Sequence, residues 1–260
     1  MFKKFIRFIL NMFLYEVKKI VIKNPISFSL NKKDNIFFNR SYRICEKESL
    51  NVSRDRFLSL YHSMKYIYSN NIKGDLVECG VFKGGSSMMI GYCMKKFQKS
   101  NSNKKKLWMY DTFEGMTDPE DYDINILNQK AKMTLNHIKK IKNKNDMWAY
   151  SPLDTVRTNI KKTKLNQTQY CFVQGPVETT LKKLKPKKIA LLRLDTDFYS
   201  STKAELDNLY ELVEKNGIII IDDYGHWRGC KKAVDNFFKD KKNFFFNYID
   251  YSAIIGIKLE

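Results

Sequence analysis

The chain has 260 residues, 43% hydrophobic, 29% charged and 14% aromatic. That suffices for one large domain with a substantial core, or a domain with an appendage, and excludes a disordered or membrane-spanning chain. Its 47 lysines and arginines against 28 acids give a formal net charge of +19, yet no RNA- or DNA-binding motif accompanies it, so no nucleic acid partner is expected. The lysines crowd into 104–106, 139–144 and 182–188, where loops are expected. The charge therefore reads first as a solvated surface and second as a face for an anionic partner such as lipid or nucleotide-sugar. Five cysteines (Cys45, Cys79, Cys93, Cys171, Cys230) lack zinc or disulfide spacing, which points to a reducing, cytoplasmic setting.

In chain order, residues 1–23 carry apolar positions near helical spacing among lysines. This basic amphipathic helix would pack on the domain or on a partner subunit, or lie at the inner face of a membrane as a peripheral contact. Residues 23–50 are polar and irregular and read as a cap or linker, so the division is 1–50 and 51–260. A helix is expected over 53–70, then Gly74 and a short buried strand over 75–79. The glycine-rich turn after it leads into a helix over 88–97. A second strand covers 107–110 and ends in Asp111. Residues 117–128 read as an acidic loop, 130–142 as a helix of uncertain role, 154–162 as a helix and 170–173 as a third strand. Strands 189–194 and 218–221 flank an amphipathic helix over 201–214. A helix over 230–238 and an antiparallel pair at 244–248 and 253–257 complete the chain. Alternating strands and helices of this kind argue a doubly wound α/β sheet.

Three segments carry chemistry. In the first, Glu78-x-Gly80-x-x-x-Gly84, a strand, a glycine turn and a helix make a nucleotide-binding geometry. The dinucleotide pattern is absent, and an acid two residues before the first glycine suits a cationic ligand amine. That fits S-adenosylmethionine better than a pyrophosphate; the plain alternative is a structural tight turn. The second is Asp111, which would hold ribose hydroxyls or serve as a cap or turn residue. In the third, Asp195 and Asp197 end one buried strand while Asp222 and Asp223 end the next. Four acids converging at one sheet edge repel one another unless a cation or shared protons neutralise them. Mg²⁺ is suited to such oxygens; the alternative is that the acids cap helices or pair with lysines. His226 follows as a substrate contact, general base or structural hydrogen-bonder.

At these residues the sequence resembles the macrocin O-methyltransferase family, which includes the mycinamicin and novobiocin sugar O-methyltransferases. The matching stretches are Gly74-Asp-Leu-Val-Glu-Cys-Gly-Val-Phe-Lys-Gly-Gly-Ser86, Tyr110-Asp-Thr-Phe-Glu-Gly115, Leu153-Asp-Thr-Val-Arg157, Leu192-Arg-Leu-Asp-Thr-Asp-Phe-Tyr-Ser-Ser-Thr202 and Asp222-Asp-Tyr-Gly225. The resemblance implies a class I methyltransferase: a Rossmann-like doubly wound sheet with a terminal antiparallel hairpin. It implies S-adenosylmethionine and Mg²⁺ as cofactors, a sugar-containing substrate and self-association. It places cofactor contacts at Glu78, Gly80, Val81, Gly84, Ser86, Asp111, Phe113, Gln174 and Gly175. Metal ligation falls on Asp195, Asp222 and Asp223, and the general base on Asp197, with His226 second. The other readings are an O-methyltransferase of a catechol or small metabolite, and a binding protein with a decayed site.

Overall fold

The computed structural model describes residues 30–98, 104–139 and 148–260; the expected helix at 1–23 lies outside them. The chain divides into two units, 1–39 and 40–260. The expectation of irregular chain over 23–50 needs correction, because residues Lys32–Cys45 form helix α1 and Glu46–Glu48 a 3-10 turn. The asparagines that suggested a loop include its cap: Asn31 Oδ1 accepts from the Asp34 amide at 2.9 Å. Among the described residues no helix is long and apolar enough to cross a membrane.

Helix α2 (Arg54–Ser69) starts at Ser53, whose Oγ accepts from the Arg56 amide at 3.2 Å. Among the described residues seven strands follow: β1 (Asp75–Cys79), β2 (Leu107–Asp111), β3 (Tyr170–Gln174), β4 (Ile189–Leu194), β5 (Val213–Ile221), β6 (Phe244–Tyr248) and β7 (Ile254–Lys258). They form one sheet in the order β3-β2-β1-β4-β5-β7-β6. β1 to β5 pair parallel, and β7 runs antiparallel to both of its neighbours. The expected terminal hairpin is therefore present. The intervening helices are α3 (Gly85–Phe97), α4 (Ala131–Lys139), α5 (Leu153–Lys161), α6 (Val177–Lys183), α7 (Tyr199–Leu209) and α8 (Arg228–Phe238). Apart from α4, the helices from α2 onward pack in two groups: α2 on α3 and α3 on α5, and α6 on α7 and α7 on α8. β4 is buried along its whole length, as expected of a central strand whose two faces are both covered.

The sequence reading is corrected at α7 and at α6. The helix expected over 201–214 ends at Leu209, and a 3-10 turn (Tyr210–Leu212) hands the chain to β5. Val213 pairs with Ile189 and is buried there, so tertiary pairing overrides the helical pattern. Helix α6 stands where lysines suggested a loop. It buries only Val177 and Leu181, and Lys182 and Lys183 sit in its last turn, where the helix dipole favours them.

The sheet brings the carboxyl ends of its five parallel strands β1 to β5 to one edge. Past the strand termini the ladder continues: Gly80 N donates to Tyr110 O (2.9 Å), Asp195 N to Cys79 O (2.8 Å), Asp222 N to Leu194 O (2.9 Å) and Gly175 N to Asp111 O (2.9 Å). At Gly80 the backbone turns through φ +81°, and a β-carbon there would fall 1.8 Å from the Asp195 carbonyl oxygen. Only glycine permits that approach between the ends of β1 and β4.

Candidate active site

A cavity of about 430 Å³ opens at this carboxyl edge. Its wall carries Gly80, Val81, Ser86, Asp111 and Gly175 from the expected cofactor set, together with Asp195, Asp197, Asp222, Asp223 and His226. Glu78, Gly84, Phe113 and Gln174 stand behind or beside that wall rather than on it.

Arg193 organises the floor. It is the one charged residue in β4, and its side chain is 3% exposed. One nitrogen, Nη1, donates to Glu78 Oε1 (2.7 Å) and Asp195 Oδ2 (2.8 Å), while Nη2 donates to Asp222 Oδ1 (2.7 Å). The other oxygen of Glu78 accepts from Ser87 Oγ. Glu78 thus has both oxygens engaged within the chain. Burial pushes its carboxyl up to about 7 against the pull of Arg193. The second oxygen of Asp222 accepts from Arg56 Nη1 at 2.5 Å. The acids at the strand ends therefore pair with buried arginines rather than with lysines.

Asp197 and Asp223 have no arginine partner among the described residues, and they converge on Asp195. One carboxylate oxygen each from Asp195, Asp197 and Asp223 lies within 4.8 Å of the other two. Asp223 Oδ2 is buried and has no hydrogen-bond partner among the described residues. Asp197 holds a left-handed φ of 66°, a costly conformation for a residue with a side chain, and one concentrated at functional sites. Loss of water and the neighbouring carboxylates push Asp197 up to about 7 and Asp223 well above the carboxylate range. Loss of water also raises Asp195, which Arg193 opposes, to about 6. Three hard oxygen donors at this spacing, one of them orphaned, suit a divalent cation such as Mg²⁺. The turn expected at Gly225 is present for a different reason from flexibility: a β-carbon there would lie 2.0 Å from the Tyr251 carbonyl oxygen.

Asp111 lies on the cavity wall and also braces the glycine turn. Its Oδ2 accepts from the Val81 and Phe82 amides (2.6 and 3.0 Å) and its Oδ1 from the Phe113 amide (2.7 Å), which ties the end of β2 to the β1–α3 turn. The acidic segment 117–128 is anchored over the site. Buried Asp123 accepts from the Tyr199 amide (2.9 Å) and so caps α7 from a distance, and Asn125 bridges Trp227. Trp148, Phe198 and Trp227 form an aromatic cluster with centroids 5.6–5.8 Å apart, and the two tryptophans face the cavity. His226 Nδ1 lies 3.4 Å from Tyr251 Oη, and burial, then Arg56, lower its pKa.

Sequence reasoning missed Arg193, Arg56 and the β6–β7 turn. Arg193 was legible as a charge inside an otherwise apolar strand, and Arg56 as a charge on the apolar stripe of α2, in line with Leu60, Met64 and Ile67. Nothing local marked Tyr251 and Ser252, which reach the cavity only through sheet topology.

The strand order, with its single reversed strand, and a cavity at the carboxyl ends beside a glycine turn define the class I methyltransferase fold. The solved structure of the O-methyltransferase NovP shares it, with a TM-score of 0.71 and 23% identity over 87% of this chain and 99% of that one. The family model for Macrocin-O-methyltransferase (TylF) matches residues 47–255, and the chain belongs to that family. It is 31% identical over 183 residues to a demethyldecarbamoylnovobiocin O-methyltransferase of Streptomyces niveus, covering 70% of this chain and 64% of that protein. It is 30% identical over 187 residues to an 8-demethyl-8-(2,3-dimethoxy-alpha-L-rhamnosyl)-tetracenomycin-C 4'-O-methyltransferase of Streptomyces olivaceus, covering 72% and 66% respectively. The match thus spans about two thirds of these relatives' length. Membership of an O-methyltransferase family implies S-adenosylmethionine as methyl donor.

Proposed function

We propose that the chain transfers a methyl group from S-adenosylmethionine to a hydroxyl of a sugar, carried on a glycan or a glycosylated metabolite, with Mg²⁺ held by the acid cluster. The observation that carries this reading is the cluster of Asp195, Asp197 and Asp223 in the floor of the cavity that the Gly80 turn also enters. The name of the Streptomyces olivaceus relative, which specifies O-methylation of a rhamnosyl compound, supports the sugar. The tryptophans on the wall support it too, since they offer an apolar face to a sugar ring. A cytoplasmic setting and self-association accompany the reading.

A divalent cation at the cluster would lower the pKa of a substrate hydroxyl and stabilise charge developing on its oxygen. The chain's own residues do the rest. Arg193 fixes Asp195 and Asp222 relative to β1, so the floor is positioned before substrate arrives. With Asp197 among the ligands, His226 takes the hydroxyl proton; burial and Arg56 keep its imidazole neutral and able to accept. A second assignment puts Asp197 in the role of base, with Asp222 completing the ligand set. The carboxyl of Asp197, pushed up to about 7, favours it.

The test is methyl transfer from labelled S-adenosylmethionine to a panel of nucleotide-sugars, glycosylated metabolites, lipid-linked glycans and catechols. Transfer to a sugar that EDTA abolishes is expected, and Asp223→Asn should lower it by about 100-fold or more. EDTA-insensitive transfer, or transfer confined to catechols, would refute the reading. Failure to bind S-adenosylmethionine in calorimetry would instead indicate a decayed site. Asp197→Asn and His226→Gln separate the two bases: the residue whose loss leaves cation affinity intact and lowers kcat is the proton acceptor.

A further inference from the structure

Glu205 is an acid that the proposed chemistry leaves unused. It stands on the buried face of α7 with Ser201, Thr202, Leu206 and Leu209, and none of its surface is exposed. Its Oε1 accepts from Thr196 Oγ1 at 2.9 Å, while its Oε2 has no hydrogen-bond partner among the described residues. The Cys79 thiol at the end of β1 is a weaker donor to it. Loss of water pushes the carboxyl well above its usual range; the Thr196 hydrogen bond opposes the shift and the Glu178 and Asp195 carboxylates add to it. Burying a carboxyl for one hydroxyl and one thiol costs free energy that an apolar side chain in its place would not. The packing of α7 therefore does not account for Glu205.

What Glu205 holds lies in the site. Thr196 separates Asp195 from Asp197 and lines the cavity with both. The turn that carries them is strained, because Asp197 keeps a left-handed φ of 66°. Such a conformation persists only where the surroundings over-determine it. Here the Thr196 carbonyl accepts from the Phe198 amide (2.8 Å) and from Ser201 Oγ (3.1 Å), and the Asp195 carbonyl is set against Gly80. Those contacts fix the peptides. The bond to Glu205 fixes the Thr196 side chain, so the turn cannot swing without breaking it, and Asp195 and Asp197 would swing with the turn.

We infer that Glu205 is a positioning residue: through Thr196 it holds the strained turn in the arrangement that gathers Asp195 and Asp197 with Asp223. The inference rests on the reading of those three acids as a cation site, and it stands whether Asp197 serves as ligand or as base. It adds that a helix supplying no ligand sets part of the cluster's geometry, through a buried acid that α7 would be more stable without.

The experiment is Mn²⁺ titration of the full chain by electron paramagnetic resonance, which reads binding without turnover, beside the thermal unfolding of each variant. Glu205→Met keeps the bulk and removes the acceptor. It should weaken Mn²⁺ at least fivefold while Tm holds or rises, the opposed signs of a residue kept for function rather than stability. Glu205→Gln keeps the acceptor and should restore Mn²⁺ affinity to within twofold of the parent. Thr196→Val should weaken Mn²⁺ as Glu205→Met does, Thr196→Ser should not, and Glu205→Met added to Thr196→Val should cost less than twofold more, because both remove the same bond. Parental affinity in Glu205→Met overturns the proposal. So do additive losses in the double variant, a loss in Glu205→Gln equal to that in Glu205→Met, which would mark an effect of charge, and a fall of Tm together with affinity, which would mark general loosening. If Glu205→Met does not fold, Thr196→Val against Thr196→Ser decides, with equal affinities counting against the proposal. Absence of Mn²⁺ binding in the parent protein overturns the cation site and this proposal together, whereas parental binding that the variants leave unchanged overturns only the latter.

Discussion

At the scale of single residues, Arg193 shows how the site is assembled. Its guanidinium is enclosed by Glu78, Asp195 and Asp222, so one buried cation offsets part of the repulsion among the acids of three strand ends. Removing one member of such a set leaves uncompensated buried charge, at a cost of roughly 3–5 kcal/mol. Arg193→Met should therefore lose about that much in urea unfolding at pH 8. The loss should shrink at pH 5, where Glu78 (about 7) and Asp195 (about 6) can take up protons in the folded state. An equal loss at both pH values would show that the ion pairs contribute little. This residue was within reach of the sequence, since a lone arginine in a strand of Ile, Ala and Leu must find partners. Which acids it would find was not, because they come from β1, its own strand and the end of β5.

At the scale of elements, the β1–α3 turn and the end of β4 interlock. Gly80 accommodates the Asp195 carbonyl, and Asp111 pins the next two amides. Gly80→Ala combines a left-handed backbone with a steric clash, and should destabilise the chain by roughly 3 kcal/mol. It should also abolish S-adenosylmethionine binding in calorimetry, because the displaced turn forms the cavity wall. A variant of parental stability and affinity would contradict this account. The turn and its strand were plain in the sequence, from the apolar run and the glycines. The ends of α7 and the existence of α6 were not. Val213 joins β5 only because Ile189 lies beside it, and α6 buries too few side chains to leave a pattern.

At the scale of the whole molecule, the acids make stability depend on pH and cation together. Glu78, Asp195 and Asp197 bind protons more tightly folded than unfolded, with folded values of about 7, 6 and 7 against ordinary values of about 4. A raised carboxyl pKa means that the folded state holds extra protons between those limits, so stability falls as pH climbs from about 4 through 7. Without divalent ions, Tm should fall from pH 5 to pH 8. Millimolar Mg²⁺ should restore much of it at pH 8 and little at pH 5, where protons already neutralise the cluster, and EDTA should reverse the gain. A Tm unmoved by Mg²⁺ at pH 8 would speak against a cation among the acids. By itself the sequence determined the alternation of strands and helices, the terminal hairpin and the motif order that marks the family, because each rests on local periodicity or on contiguous residues. Only the tertiary structure decided that Glu78 accepts from Arg193 and Ser87 and that Asp222 is held by two arginines while Asp197 joins Asp195 and Asp223. Those outcomes depend on register between strands far apart in the chain, and a carboxylate's partners are set by what the sheet brings within about 3 Å of it.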